Sequence, residues 1–266
     1  MTIKKAQLNI VGCGLHPGHM TLETESLIKT ADLVLLVAPN PLSITHIQSL
    51  NKRVEHLGRF YGEDIDRAQI YQKMADEIVC QVKKEQSVCV VFYGHPGIFV
   101  LSTHMAREQL LEAGYPVKMY PGISADACLF ADLGLDPAST GCQSYEATQF
   151  LLTRRTIDTG AALILWQIGL VGEHTLRLYQ PASQGLQAIT QLLLQDYPAD
   201  HPICIYEAPT LPGFDARMEW CSLSDLPAAQ LKEWSTLLVP AATQLTFASE
   251  RVDWLGLQLS DFEAWQ

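Results

Sequence analysis

The chain has 266 residues, 48% hydrophobic and 18% charged, the balance of a packed globular protein of one or two domains. A formal net charge of −11 argues against a general phosphate-binding surface, and so against nucleic acid as a partner. The apolar runs all fall short of a bilayer's thickness, and Met1 to Ile10 pass from two lysines straight into a strand pattern with no signal core, so no membrane partner and a cytoplasmic location are expected.

Short apolar runs alternate with amphipathic stretches. Leu8 to Val11 reads as a strand, followed by a glycine-rich turn and a helix from about Thr21 to Thr30. Ala31 to Val37 is a second buried strand. A helix is predicted from Asp64 to about Val82, with an acidic start and Ile70, Met74, Ile78 and Val82 at helical spacing. Ser87 to Phe92 is a strand, Thr103 to Ala113 a helix closed by Gly114, and Val117 to Tyr120 a strand. This alternation predicts a largely parallel sheet covered by helices. The second half is expected to repeat it, with strands at Ala161 to Trp166, Ile203 to Glu207 and Thr236 to Val239. A boundary near 120–125 divides the chain into α/β domains at 1–122 and 123–266. Cys13, Cys80, Cys89, Cys128, Cys142, Cys204 and Cys221 stand singly in mostly apolar settings and read as reduced core thiols.

Four strand ends run into glycine, proline or small residues: Gly12 to Gly18, Tyr93 to Gly97, Pro121 to Ala125, and Val239 to Ala241. Ligands of open α/β sheets bind outside the carboxyl ends of strands, where glycines let the backbone come close. A dinucleotide fingerprint fails at Pro17, which stands where the third glycine belongs, and no Gly-Lys-Ser/Thr follows to make a phosphate loop. His16 and His19 lack further ligand spacing, so no metal is expected. Ser144 is outside any nucleophile-elbow motif, and Glu207, at a strand end, is either a general base or a residue that orients the ligand. Arg67 and Tyr71, four apart in a helix, share one face, with Tyr61 just ahead of that helix.

The order Val11-Gly12-Cys13-Gly14-Leu15-His16-Pro17-Gly18-His19-Met20-Thr21, then Tyr93-Gly94-His95-Pro96-Gly97, then Tyr120-Pro121-Gly122-Ile123-Ser124-Ala125 resembles the tetrapyrrole methylases over nearly the whole chain. The chain departs from the common pattern at His95, where most members carry Asp. That variant, with Asp126 to Leu133, Gly141 to Thr148, Trp166 to Gly169 and Tyr206 to Ala208, resembles the borosin peptide backbone α-N-methyltransferases. The resemblance implies two α/β domains of the tetrapyrrole-methylase fold with S-adenosyl-L-methionine in the interdomain cleft. It places Pro17, Tyr93, His95, Ile98, Ser124, Ala125, Gln167, Tyr206, Ala208 and Ala241 at the cofactor, and Tyr61, Arg67, Tyr71 and Tyr93 in the catalytic cluster.

Those residue types suit N-methylation of an amide. The amide lone pair is delocalised into the carbonyl, so nitrogen is a poor nucleophile until its proton leaves and negative charge builds on oxygen. A guanidinium and phenols aimed at that oxygen stabilise it as an oxyanion hole does, and a tyrosine of the cluster or water takes the proton. Only residues 240–266 follow the last predicted strand, and they carry no repeated apolar core segment, so the expected substrate is a precursor peptide on a separate chain. By resemblance that peptide is held through a helical leader by a homodimer, two peptides making a heterotetramer, and is methylated iteratively with S-adenosyl-L-homocysteine as by-product. Two other readings stay open: a C-methyltransferase of a tetrapyrrole or corrin precursor, and a noncatalytic leader-peptide-binding adaptor.

Overall fold

The computed structural model describes residues 6–61, 66–84, 87–173 and 183–265. Two five-stranded sheets organise them. The first is built from β1 (Gln7–Gly12), α1 (Leu22–Thr30), β2 (Leu33–Val37), α2 (Pro41–Leu50), β3 (Val54–His56), α3 (Arg67–Lys84), β4 (Ser87–Phe92), α4 (Leu101–Glu112) and β5 (Val117–Met119). Its order is β3-β2-β4-β1-β5, and every pair is parallel, as the alternation predicts. β2 and β4 are buried along their whole length, because helices cover both faces of the sheet.

The strand order fixes where the crevice lies. From β1 the chain steps through α1 and α2 toward β3, and these helices bury Ile28 and Ile47 on one face. From β3 it steps back through α3 and α4 toward β5, and these bury Ile70, Met74, Ile78 and Leu110 on the other. Right-handed crossovers in opposite directions put helices on opposite faces. The loops leaving adjacent β1 and β4 therefore diverge, and the opening between them is the sheet's switch point.

α3 starts where a cap allows it. Asp66 Oδ1 accepts the Ala68 N–H at 2.8 Å, and Asp66 O accepts the Ile70 N–H. The helix thus begins at Arg67, and the predicted start at Asp64 lies outside the described residues. The predicted positions Ile70, Met74, Ile78 and Val82 are all buried.

The chain then crosses to the second sheet, formed by α5 (Ala125–Leu133), α6 (Pro137–Thr140), β6 (Cys142–Glu146), α7 (Ala147–Leu152), β7 (Ala162–Trp166), α8 (Ser183–Leu193), β8 (Pro202–Glu207), β9 (Arg217–Ser222), β10 (Thr236–Val239) and α9 (Ser249–Trp254). Its order is β6-β7-β10-β8-β9. Here the expectation of a repeated β/α alternation needs correction: β6 and β7 are parallel, but β10 runs antiparallel to both β7 and β8, and β9 antiparallel to β8. β8 and β9 form a long hairpin, and β10 slots between β7 and β8 in reverse. One face packs on α7 and α8 through Phe150, Leu186, Ile189 and Leu193, the other on α5 through Leu129.

All seven cysteines are free thiols, with Cys13, Cys89 and Cys204 buried. Burial pushes the Cys13 and Cys89 thiols up to about 12, so both stay protonated core groups. Among the described residues no helix is long and apolar enough to cross a membrane.

Candidate functional site

Three loops converge at the carboxyl edge of the first sheet. Gly14 and Gly94 form an isolated bridge, Gly94 N–H donating to Gly14 O at 2.9 Å, and both adopt left-handed φ, 71° and 64°. A Cβ on Gly12 would lie 2.2 Å from Gly94 O and 3.1 Å from Gly122 Cα. The backbones after β1, β4 and β5 therefore touch without side chains between them, leaving a cradle of backbone groups at the switch point. Pro17 opens a short turn, Pro17–His19, whose cap is His16, Nδ1 accepting the Gly18 N–H at 3.1 Å. His95 repeats that device after β4, Nδ1 accepting the Gly97 N–H at 3.0 Å, and His95 O accepts the Ile98 N–H. Ser124 stands at the N-cap position of α5 with its hydroxyl donating to the Asp126 carboxylate and not capping the backbone, and Ala125 is the first residue of that helix. A cavity of about 340 Å³ adjoins these residues, lined by His19, Ile123, Cys128, Asp132 and Pro209 among others. Burial and neighbouring His16 hold the His19 imidazole below its ordinary range, with Asp132 pulling the other way.

The second sheet brings some of the predicted cofactor residues to this edge and not others. Gln167 and Ala208 follow the ends of the mutually parallel strands β7 and β8, so they share one edge of the sheet. Gln167 is left-handed at φ 56°, a strained conformation for a residue with a side chain. Tyr206 is fully buried and its hydroxyl donates to Asp132 Oδ2 at 2.7 Å, so its phenol is committed to α5. Ala241 follows β10, which runs the other way. Val239 pairs with Leu163 near the start of β7, and the Ala242 N–H donates to Thr159 O. Ala241 thus sits at the far end of the sheet from Gln167. The residues that β10's reversal brings to the near edge instead are those just before it, Lys232 to Ser235.

Arg67 and Tyr71, one turn apart at the start of α3, lie within electrostatic reach of Tyr93. Tyr71 packs against the first core from α3, and Tyr93 follows β4 directly. The Tyr93 phenol is raised above its ordinary range by burial first, then by Tyr71 and Glu233, while Arg67 pulls it down. Tyr93 is nonetheless 49% exposed. The two facts fit a side chain on the wall of an open cleft, reached by water yet crowded by protein. A phenol so placed keeps its proton and acts as a hydrogen-bond donor. Tyr61 closes the turn Leu57–Phe60 on the path toward α3.

Glu233 escaped the sequence reading, as did the contact between Phe99 and Trp166, whose rings lie 6.4 Å apart across the two halves. Phe99 is 55% exposed and left-handed at φ 55°. No motif marks Glu233; only the reversed strand brings it here. Glu207, read as a possible base, is enclosed instead: it is 6% exposed and accepts from Arg217 Nη1 at 2.6 Å, Lys232 Nζ at 2.8 Å and Ser235 Oγ at 2.8 Å. Among the described residues no cluster of three His, Cys, Asp or Glu side chains suits a metal ion.

A switch-point cradle of touching glycine backbones, faced by a second mixed sheet, agrees with what related sequences record. The family model described as Tetrapyrrole (Corrin/Porphyrin) Methylases matches residues 7–227, and the chain belongs to that family. Within it, the chain is homologous to borosin precursor methyltransferases. It is 36% identical over 243 residues to the methyltransferase/ribosomally synthesized type I borosin cyclic peptide precursor of Coprinopsis marcescibilis, covering 90% of this chain and 61% of that protein. It is also 36% identical over 213 residues to the methyltransferase/ribosomally synthesized cyclic peptide omphalotin A precursor of Omphalotus olearius, covering 80% and 51%. The chain therefore spans roughly half to two thirds of the length of these relatives. Among solved structures, uroporphyrin-III-C-methyltransferase from Thermus thermophilus aligns with a TM-score of 0.61 at 19% identity, covering 89% of this chain and 92% of that one. A cobalt precorrin-4 methyltransferase aligns at 0.63 and 15%, covering 88% and 95%. At these identities the likeness is one of fold.

Proposed function

We propose that this chain is an S-adenosyl-L-methionine-dependent methyltransferase that N-methylates backbone amides of a ribosomal precursor peptide supplied as a separate chain. The observation that carries the reading is that Arg67 and Tyr71 lie within electrostatic reach of Tyr93, which adjoins the glycine cradle, in a chain more than one third identical to borosin precursor methyltransferases. The cradle suits the cofactor, because the close approach of Gly12, Gly94 and Gly122 leaves backbone groups free to meet a nucleoside and an amino-acid moiety. Pro17, His95, Ile98, Ser124, Ala125, Gln167 and Ala208 would hold it, with Tyr206 bracing α5 from behind. Bound there, S-adenosyl-L-methionine supplies an electrophilic methyl group.

The chain's own residues do the rest. Arg67 and the protonated Tyr93 donate toward the peptide oxygen, where charge builds as the amide loses its proton. Tyr71 and Tyr61 flank the same group, and the proton passes to one of them or to water. The nitrogen gains a methyl, the amide proton leaves, and S-adenosyl-L-homocysteine is released. The two walls of the cleft, joined at Phe99 and Trp166, hold the amide in line and limit water.

A homodimer binding two peptides through helical leaders belongs to the same proposal, as does a division at 1–122 and 123–266. The test is incubation of the protein with cofactor and a borosin precursor peptide added as a separate chain, read by fragmentation mass spectrometry. Successive single-methyl gains on backbone nitrogens are expected. Cofactor binding with no mass gain on any offered precursor would refute peptide methylation.

A further inference from the structure

Among the described residues, Phe99 and Gln167 are the non-glycine residues with left-handed backbone, at φ 55° and 56°. They flank a single contact. The Phe99 ring lies 6.4 Å from that of Trp166, the residue before Gln167, with the ring planes 55° apart. A bulky aromatic residue is strained in this conformation, and such strain persists only where the surrounding structure imposes it.

The loop after β4 imposes it on Phe99. Ahead of Phe99, His95 accepts the N–H groups of Gly97 and Ile98, and Gly97 O accepts from His104 Nε2 at 2.8 Å. Gly97 sits so close to β5 that a Cβ there would meet Met119 Sδ at 2.6 Å. The Thr103 hydroxyl ties the two sides together, lying 2.7 Å from Pro96 O and 2.9 Å from Val100 O. Val100 itself packs on the first core. With both neighbours of Phe99 fixed, its ring is turned outward and exposed. Across the cleft Trp166 is buried, and its Nε1–H donates to Ser144 Oγ at 2.7 Å. The indole's one polar group is therefore spent on the fold, and the surface the two rings make together is apolar.

A loop that needed only to turn here would carry glycine, which adopts this backbone without strain. Instead a large apolar ring is held open to water on the loop that also carries Tyr93 and Gly94. We propose that Phe99 is a specificity-determining residue, the wall against which the side chain of the residue being N-methylated packs. The inference rests on the reading of the chain as a peptide N-methyltransferase. That side chain stands on the Cα bonded to the reacting nitrogen, so it lies beside the group that Tyr93 would face. An aliphatic side chain loses its water favourably against the two rings. A polar side chain of the same size gives up hydrogen bonds to water and finds none on either ring to replace them. The site therefore selects residues with aliphatic side chains.

The test compares two borosin precursor peptides, identical except for Leu or Asn, which are close in size, at one accepting position. Time courses read by mass spectrometry give kcat/KM for methylation at that position. The protein should favour Leu by about 10- to 100-fold. Phe99→Gly removes the ring and relieves the backbone, and should lower that preference about tenfold, the loss falling on the Leu peptide. Calorimetric affinity for S-adenosyl-L-homocysteine should stay within about twofold. Phe99→Ala gives the same reading should glycine loosen the loop. An unchanged preference in these variants, or an equal loss on both peptides, overturns the inference and leaves the proposed function standing. A change in oligomeric state by light scattering also overturns it, since a second copy would then be what covers the ring. Methylation of neither peptide by the unaltered protein refutes the proposed function, and the inference with it.

Discussion

Replacing Glu207 by Ala removes the acceptor shared by Arg217, Lys232 and Ser235. Breaking a fully buried ion pair costs about 3–5 kcal/mol, because a charge is stranded. Here the stranded cations are only partly enclosed: the Arg217 and Lys232 side chains are 26% and 55% exposed, and Arg217 keeps Glu219 and the carbonyl of Gln230. Ser235, fully buried, loses its acceptor and adds a cost of about 1–3 kcal/mol. Rehydration of these partly exposed cations offsets most of the first figure, so the expected loss is about 2–3 kcal/mol. In a chain of this size each kcal/mol moves Tm by about 2–4 °C, giving a drop of about 4–12 °C in calorimetry at neutral pH. The acid side supplies a second check. Burial, the largest influence, pushes the Glu207 carboxyl up, but the hydrogen bonds from Lys232, Ser235 and Arg217 with the nearby charge leave it below its ordinary range. Its stabilisation is therefore complete above the unfolded pKa of about 4.3 and is lost as pH falls through the lower folded value. The gap in Tm between the two proteins should hold from neutral pH to about pH 5 and shrink in stronger acid. An unchanged Tm accompanied by lost turnover would refute this reasoning and return Glu207 to the ligand.

Other variants separate chemistry from scaffold. Arg67→Ala should lower turnover by at least about 10²-fold, as loss of an oxyanion donor does, while calorimetric cofactor affinity stays within about twofold; equal loss of both would make Arg67 structural. Gly12→Ala should cost about 1–3 kcal/mol or more and weaken cofactor binding together, because the new methyl would lie 2.2 Å from Gly94 O; unchanged melting and binding would contradict the cradle. Gln167→Gly should leave stability equal or raise it by up to about 1 kcal/mol by relieving the left-handed strain, yet reduce cofactor affinity, and a plain loss of stability would show that the side chain is needed for packing.

The first sheet was legible because its signals are local. Buried runs such as Leu33–Val37 and Ser87–Phe92, separated by helices with a regular apolar face, leave a parallel sheet as the economical arrangement, and the glycine-rich strand ends then fall on one edge. The helix positions Ile70, Met74, Ile78 and Val82 follow from spacing alone. Missing from that reading were α2 and the cap at Asp66, which depend on side-chain hydrogen bonds that periodicity does not record, and β3, a three-residue edge strand too short to show a period. The borosin resemblance rested on motif strings and agrees with the relatives at 36% identity.

The second sheet was harder for a physical reason. An apolar run such as Thr236–Val239 reads the same in either direction, and nothing in the run itself reveals that it enters between β7 and β8 in reverse. Reversal exchanges the two ends of a strand. It carries Ala241, expected at the cofactor, to the far edge, and brings the turn before the strand into the cleft. Both Glu207 and Glu233 change meaning with it. Glu207 looks reactive as a lone strand-end carboxylate, but the returning turn brings Lys232 and Ser235 against it and fixes it as an anchor. Glu233 looks like one more surface charge beside Lys232 and Trp234, but the same anchored turn carries it within electrostatic reach of Tyr93. The direction of one four-residue strand thus decides what surrounds each carboxylate, and motif strings carry no information about direction.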